Sequence, residues 1–117
     1  MLIKNLVLKN YRNYDDLFVE FNDKLNIIIG NNAQGKTNIL ESIYVLAVTK
    51  SYLGVGDKDL IKFNRDFFDI KAKIFGNGSS KKLEIKLLNN KKKVFINDKE
   101  IRKFRDYVSN LNVIIFS

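Results

Sequence analysis

The chain has 117 residues, a mass of 13.6 kDa, a net charge of +8 and a pI near 9.7, which is the size of one domain or part of one. It contains no cysteine, histidine or proline, so disulfides, thiolate metal sites and serine–histidine catalysis are excluded and zinc lacks its usual ligands. No apolar run approaches the roughly 20 residues of a membrane helix, and "MLIKNLVLKN" has no signal-peptide pattern, so the expectation is a cytoplasmic protein that does not engage membranes.

The basic balance suits an anionic partner such as nucleic acid or nucleotide. It equally suits the Lys-, Asn- and Ile-rich composition that goes with an AT-rich genome. Along the chain, residues 2–9 read as a strand, "NYRNYDD" as a polar turn, and "LFVEF" (17–21) as a second, alternating strand. "NDK" turns the chain into "LNIII" (25–29), a buried β-branched strand. Residues 36–48 place apolar side chains at Ile39, Leu40, Ile43, Tyr44, Leu46 and Ala47, which is helical spacing. "SYLGVGDKDL" (51–60) reads as a loop.

Beyond it, "FFDIKAKIF" (67–75) sets Phe68, Ile70, Ala72 and Ile74 on one face, and "KLEIKLL" (82–88) answers with Leu83, Ile85 and Leu87, a hairpin across "GNGSS". "NNKKK" reads as a turn, "VFI" (94–96) as a short strand, "NDKE" as a turn, residues 101–109 as a short helix, and "LNVIIF" (111–116) as a buried strand. The stop one residue after an apolar run suggests a fragment whose exposed "VIIF" edge favours association.

Gly30-Asn31-Asn32-Ala33-Gln34-Gly35-Lys36-Thr37 matches G-x-x-x-x-G-K-[ST] without a gap. Residue frequencies alone put such a motif in roughly 0.5% of chains this long, and here a strand precedes it and a helix follows. The two glycines allow the backbone to wrap an anion. Loop N–H groups and the helix N-terminus then point at phosphate oxygens. In such loops the lysine, here Lys36, neutralises the β- and γ-phosphates, and the hydroxyl of Thr37 ligates magnesium. The expected ligands are therefore ATP and Mg2+.

Phosphate loops serve kinases, GTPases and ATPases, so the loop does not name the reaction. No Asn-Lys-x-Asp base reader for GTP is present, and Arg65 and Arg102 do not make a kinase lid. The antiparallel strands after the helix point to the ABC-type branch. The expected fold class is α/β: a partial ABC/SMC-type ATPase head, with a mixed sheet around one phosphate-loop helix and an antiparallel meander.

"LKNYRNY" (8–14), "GNNAQGKTNILESIYVLAVTKS" (30–51), "FINDKEI" (95–101) and "LNVIIFS" (111–117) together resemble the RecF family, bacterial recombination mediators related to SMC ATPases. The resemblance runs the length of the chain. It implies that residues 1–117 are the N-terminal part of an ABC-type head, with the lid domain, signature motif and Walker B strand lying outside this chain. It implies ATP-dependent binding of DNA, double-stranded and at single/double-strand junctions, in replication, repair and the SOS response to DNA damage. Partners implied are RecR and RecO, with an ATP-dependent homodimer in the parent protein. By motif position, Asn31 to Lys36 form the backbone cradle, Gly30 and Asn38 flank it, and Arg12 matches a basic residue that reaches nucleotide.

Two departures qualify the likeness. Tyr52-Leu53 stands where the family carries a basic pair. The acidic candidates for hydrolysis, Asp69 and Asp98, fall in hairpins where turn aspartates are common. No catalytic residue is assigned, and the loop is expected to bind ATP with little or no turnover. Lys81, Lys82, Lys86 and Lys91 to Lys93 read either as a DNA-backbone surface or, preferably, as a solvated sheet face. A non-enzymatic interaction module and a different SMC-type head are the rival readings.

Overall fold

The computed structural model describes residues 2–21, 33–76 and 78–108, with the backbone alone for 33–36. The expected strands at 25–29 and 111–116 lie outside the described residues. Among the described residues six strands form one antiparallel sheet: β1 (Leu2–Tyr11), β2 (Tyr14–Glu20), β3 (Phe67–Gly76), β4 (Ser79–Leu88), β5 (Lys91–Ile96) and β6 (Lys99–Ile101), in the order β2-β1-β3-β4-β5-β6. Helix α1 (Ala33–Val48) packs on β3 and β4, and the short α2 (Phe104–Val108) packs on β5 and β6. The α/β class expected from sequence is present, and the sheet of the described residues is antiparallel.

Alternation decides which face is buried. Leu6 and Leu8 of β1, Phe68, Ile70, Ala72 and Ile74 of β3, Leu83, Ile85 and Leu87 of β4, and Val94 of β5 all point to the α1 side. Burying such side chains contributes about 1.5–3 kcal/mol each. The Tyr11 ring meets Phe68 edge-on at 5.9 Å between centroids. Tyr107 of α2, also fully buried, donates its hydroxyl to the Leu46 carbonyl at 2.6 Å, tying α2 to α1.

Several boundaries differ from the sequence reading. The β1–β2 hairpin closes in two residues, Arg12 and Asn13, so "NYRNYDD" is mostly strand. Lys91 to Lys93 belong to β5 rather than to a turn, because Asn89 and Asn90, both at positive φ (52° and 62°), make the whole reversal. In the same way Asn97 and Asp98 turn the chain at φ 51° and 67°, leaving Lys99–Ile101 free to form β6. α1 begins three residues before the expected start at 36, and the 51–60 segment contains a 3-10 turn at Asp57–Leu60. A bulge between Ile3 and Asn5 interrupts the pairing of β1 with β3, and the Asn5 side-chain oxygen accepts the Lys73 N–H at 3.1 Å there.

Asp69 is not a turn residue. It lies within β3, on the face away from α1, beside Glu84 of β4. Asp69 Oδ1 and Glu84 Oε2 are both buried without a hydrogen-bond partner. Lys71 Nζ lies 3.9 Å from a carboxylate oxygen of each, and Lys86 Nζ lies 3.6 Å from Glu84. Burial first, then the proximity and charge of Glu84, pushes the Asp69 carboxyl up to about 7. Because the folded value lies above the unfolded one of about 4, the folded chain holds this proton more tightly. The associated stability is complete below about pH 4 and is lost as the pH rises through 7. Asp69→Asn supplies a permanent donor toward Glu84. It is expected to stabilise the chain by on the order of 1–2 kcal/mol at pH 8 and by little at pH 4 in urea unfolding. A variant no more stable than the native chain at pH 8 would contradict this.

Candidate functional site

α1 opens with Ala33-Gln34-Gly35-Lys36, the second half of the phosphate-loop motif, and no acidic residue stands in that first turn. No carboxylate within that first turn therefore offsets the positive end of the helix dipole. Gly30, Asn31 and Asn32 lie outside the described residues. Thr37 is exposed and Asn38 is buried on the next positions of the helix. The far end of α1 is closed by Thr49, which sits at φ 68° with its N–H on the Val45 carbonyl at 2.8 Å. Lys92 Nζ donates to the Thr49 carbonyl at 2.8 Å and so complements the negative end of the dipole.

Arg12, from the β1–β2 turn, comes to the side of α1 and meets Glu41. Its Nε donates to Glu41 Oε1 at 2.9 Å and its Nη2 to Oε2 at 2.7 Å, a two-pronged fork. Tyr11 Oη donates to Oε1 at 2.5 Å and Ser51 Oγ to Oε2 at 2.6 Å. The Glu41 carboxylate is 0% exposed and thus accepts four hydrogen bonds in the interior. Burial pushes its carboxyl up, but the bonds from Arg12, Ser51 and Tyr11 outweigh burial and hold it below the usual glutamate range. The Tyr11 hydroxyl moves far the other way, raised by burial and then by the carboxylate it serves.

The Arg12 backbone is constrained as tightly as its side chain. It sits at φ 55°, where non-glycine residues are uncommon, and its N–H donates to the Leu60 carbonyl at 2.9 Å. Lys62 N–H donates to the Asn10 carbonyl at 2.8 Å on the other side. The 3-10 segment therefore buttresses the β1–β2 turn. Sequence reasoning selected Arg12 but gave Glu41 no role. The available signal was a lone charge in the apolar helical run "NILESIYVLAV" (38–48).

Of the acidic candidates, Asp98 is a turn residue that accepts an ion pair from Lys82 at 2.6 Å, and Asp69 lies across the sheet from α1. Neither is brought to the helix start. Among the described residues no cluster of three or more acidic, histidine or cysteine side chains could hold a metal ion. The lysines on the outer sheet face are partly answered by Asp69, Glu84 and Asp98, and Lys86 also lies over the Phe95 ring at 5.5 Å. No helix among the described residues is long and apolar enough to cross a membrane.

Over residues 1–116 the sequence matches the family described as the AAA ATPase domain. The chain belongs to that family. Within the AAA ATPase domain family its likeness is to RecF. A DNA replication and repair protein RecF from Bacillus cytotoxicus is 44% identical over all 117 residues, and this chain spans 31% of its length. The recombination mediator protein RecF with ATP, of the RecFOR pathway, superposes with a TM-score of 0.79 at 30% identity over 87% of this chain and 28% of that one. The SMC head domain from Thermotoga maritima shares the fold, with a TM-score of 0.70 at 20% identity over 96% of this chain and 43% of that one. This AAA ATPase domain chain is thus RecF-like in sequence and head-like in fold.

Proposed function

We propose that residues 1–117 are the N-terminal part of the ATP-binding head of a RecF-like protein of DNA replication and repair. The observation that carries this reading is the position of the motif: its Ala33–Thr37 half forms the opening turn of a 16-residue helix with no acidic residue in that turn. A triphosphate bound there meets backbone N–H groups, the helix dipole and the charge of Lys36. Gly30 to Lys36 cradle the phosphates, Asn38 follows them on the helix, and Arg12 adds a second cation. For magnesium, the hydroxyl of Thr37 fits as a single protein ligand, with phosphate oxygens and water completing the octahedron, an arrangement this small cation favours.

In the longer protein the ATP-bound head pairs with a second copy and engages double-stranded DNA and single/double-strand junctions, at gaps and stalled forks, with RecR and RecO, in the cytoplasm. The RecF likeness over the full 117 residues supports this. Phosphate recognition predicts a sharp ligand ranking. In calorimetric titration the chain is expected to bind Mg-ATP at least about 30-fold more tightly than AMP, a difference of about 2 kcal/mol for the lost β- and γ-phosphate contacts. Equal affinities for the two would remove the proposal.

A further inference from the structure

A buried ion pair is a poor device for stability alone. Taking two charges out of water costs several kcal/mol per ion, and apolar residues of the same volume often do as well. What such a pair can supply is orientation. The geometry around Glu41 has that character, for its carboxylate has both oxygens doubly occupied and takes the Nε and Nη2 prongs of one guanidinium. The rest of that arginine is equally fixed, by its left-handed backbone and its bond to Leu60. Even so the Arg12 side chain keeps 24% of its surface exposed. The fork uses two of the five guanidinium N–H donors, and the other three, one on Nη2 and two on Nη1, lie along the remaining edges of the plane.

Position along α1 tells what those donors serve. Glu41 stands four residues after Thr37, on the same helical face and about 6 Å further along the axis. The guanidinium is therefore held about one turn beyond Thr37, the last residue of the motif, and about two turns from the helix start at Ala33. We infer that Glu41 is a positioning residue for nucleotide: it presents Arg12, already oriented, to the phosphate tail, and spares the ligand the cost of ordering a long side chain. This rests on the reading that Arg12 reaches the nucleotide. Ser51 belongs to the same device. Its hydroxyl donates to Glu41 and accepts the Leu53 N–H at 3.0 Å, so the segment carrying exposed Tyr52 and Leu53 is registered to the same carboxylate.

A double-mutant cycle on the 117-residue chain tests this, with Mg-ATP titrated into the native protein, Arg12→Ala, Glu41→Gln and the double variant. Each single change is expected to weaken ATP about 10-fold, the scale of one charge-assisted hydrogen bond. The double variant is expected to lose no more than either single one, because the two residues act as a unit. In the nitrogen–proton spectrum the Arg12 Nε–H resonance is expected to exchange slowly in the native chain and quickly in Glu41→Gln. Ile85→Val, a core change in β4, is expected to lower the Tm and leave ATP affinity unchanged, which separates positioning from lost stability. Glu41→Asp keeps the charge but withdraws it by one methylene, and carries the test should Glu41→Gln not fold; a loss of about 3-fold is expected, and native affinity would overturn the inference. Native affinity in Glu41→Gln beside a weakened Arg12→Ala, or losses that multiply in the double variant, would also overturn it. Native affinity in Arg12→Ala would instead remove the nucleotide-contact reading of Arg12 on which it stands.

Discussion

Lys36→Ala is expected to weaken Mg-ATP binding by roughly 10- to 100-fold while the chain stays folded, since a charge-assisted hydrogen bond contributes about 1.5–3 kcal/mol. Lys36 is the fourth residue of α1, and in the proposed cradle the helix dipole and the loop amides would converge on one anion beside it. A compact ammonium there would neutralise oxygens of the two outer phosphates without constraining their direction. The planar guanidinium of Lys36→Arg is bulkier and hydrogen-bonds in fixed directions, so it is not expected to restore affinity. Binding is read by calorimetry beside a thermal melt of the same protein. A Lys36→Ala chain with native affinity would mean that the phosphate tail is held elsewhere.

Glu41→Ala has the largest expected effect on stability. It strands the buried Tyr11 hydroxyl, which costs about 1–3 kcal/mol, and it removes the carboxylate that holds Arg12 and Ser51. Arg12 reaches solvent and relaxes in part, which places the total at on the order of 3 kcal/mol rather than at the upper limit for a broken buried pair. For a chain of this size each kcal/mol moves the midpoint by about 4 °C, so the Tm is expected to fall by roughly 10 °C or more.

The pH dependence follows from the direction of the shift. Glu41 is held below its ordinary range in the folded chain, so its contribution is in full above about pH 4.3 and is lost as the pH falls through the folded value. The native chain should therefore lose stability on acidification in a way that Glu41→Ala does not. Chemical denaturation of both proteins at pH 7 and pH 3.5 measures the difference. A gap that stays constant between the two pH values would contradict the role given to the carboxylate.

Sequence alone reached the elements whose signal is local. The alternation of Phe68, Ile70, Ala72 and Ile74 marked β3, and the glycine–lysine–threonine motif marked the start of α1. It missed β6 and the first half of β5, because solvent-facing lysines beside asparagine pairs look like turn residues until the positive-φ positions are known. Asp69 was placed in a hairpin strand, and the register sets it against Lys86 in mid-sheet, but alternation alone could not foretell its burial beside Glu84. Arg12 was singled out by the resemblance of "NYRNY", and the fold sets it against Glu41 of α1.

Its partner was not, since the Arg12–Glu41 fork joins positions 29 residues apart, and only the folded chain brings them together. Nor could spacing foretell that Ser51 and Tyr11 would complete the same carboxylate. The helix itself is buried more fully than a one-sided stripe predicts, with Glu41, Ser42 and Val45 all inside.

The claim on which the rest depends is that the amides from Gly30 to Thr37 grip the phosphates of ATP. Nitrogen–proton spectra of the 117-residue chain with and without Mg-ATP test it residue by residue. The account predicts that the Gly30 to Thr37 amide resonances and the Arg12 side-chain resonance shift together, saturably, and that AMP leaves them in place. Saturable shifts confined to other parts of the chain, with these resonances unmoved, would contradict it.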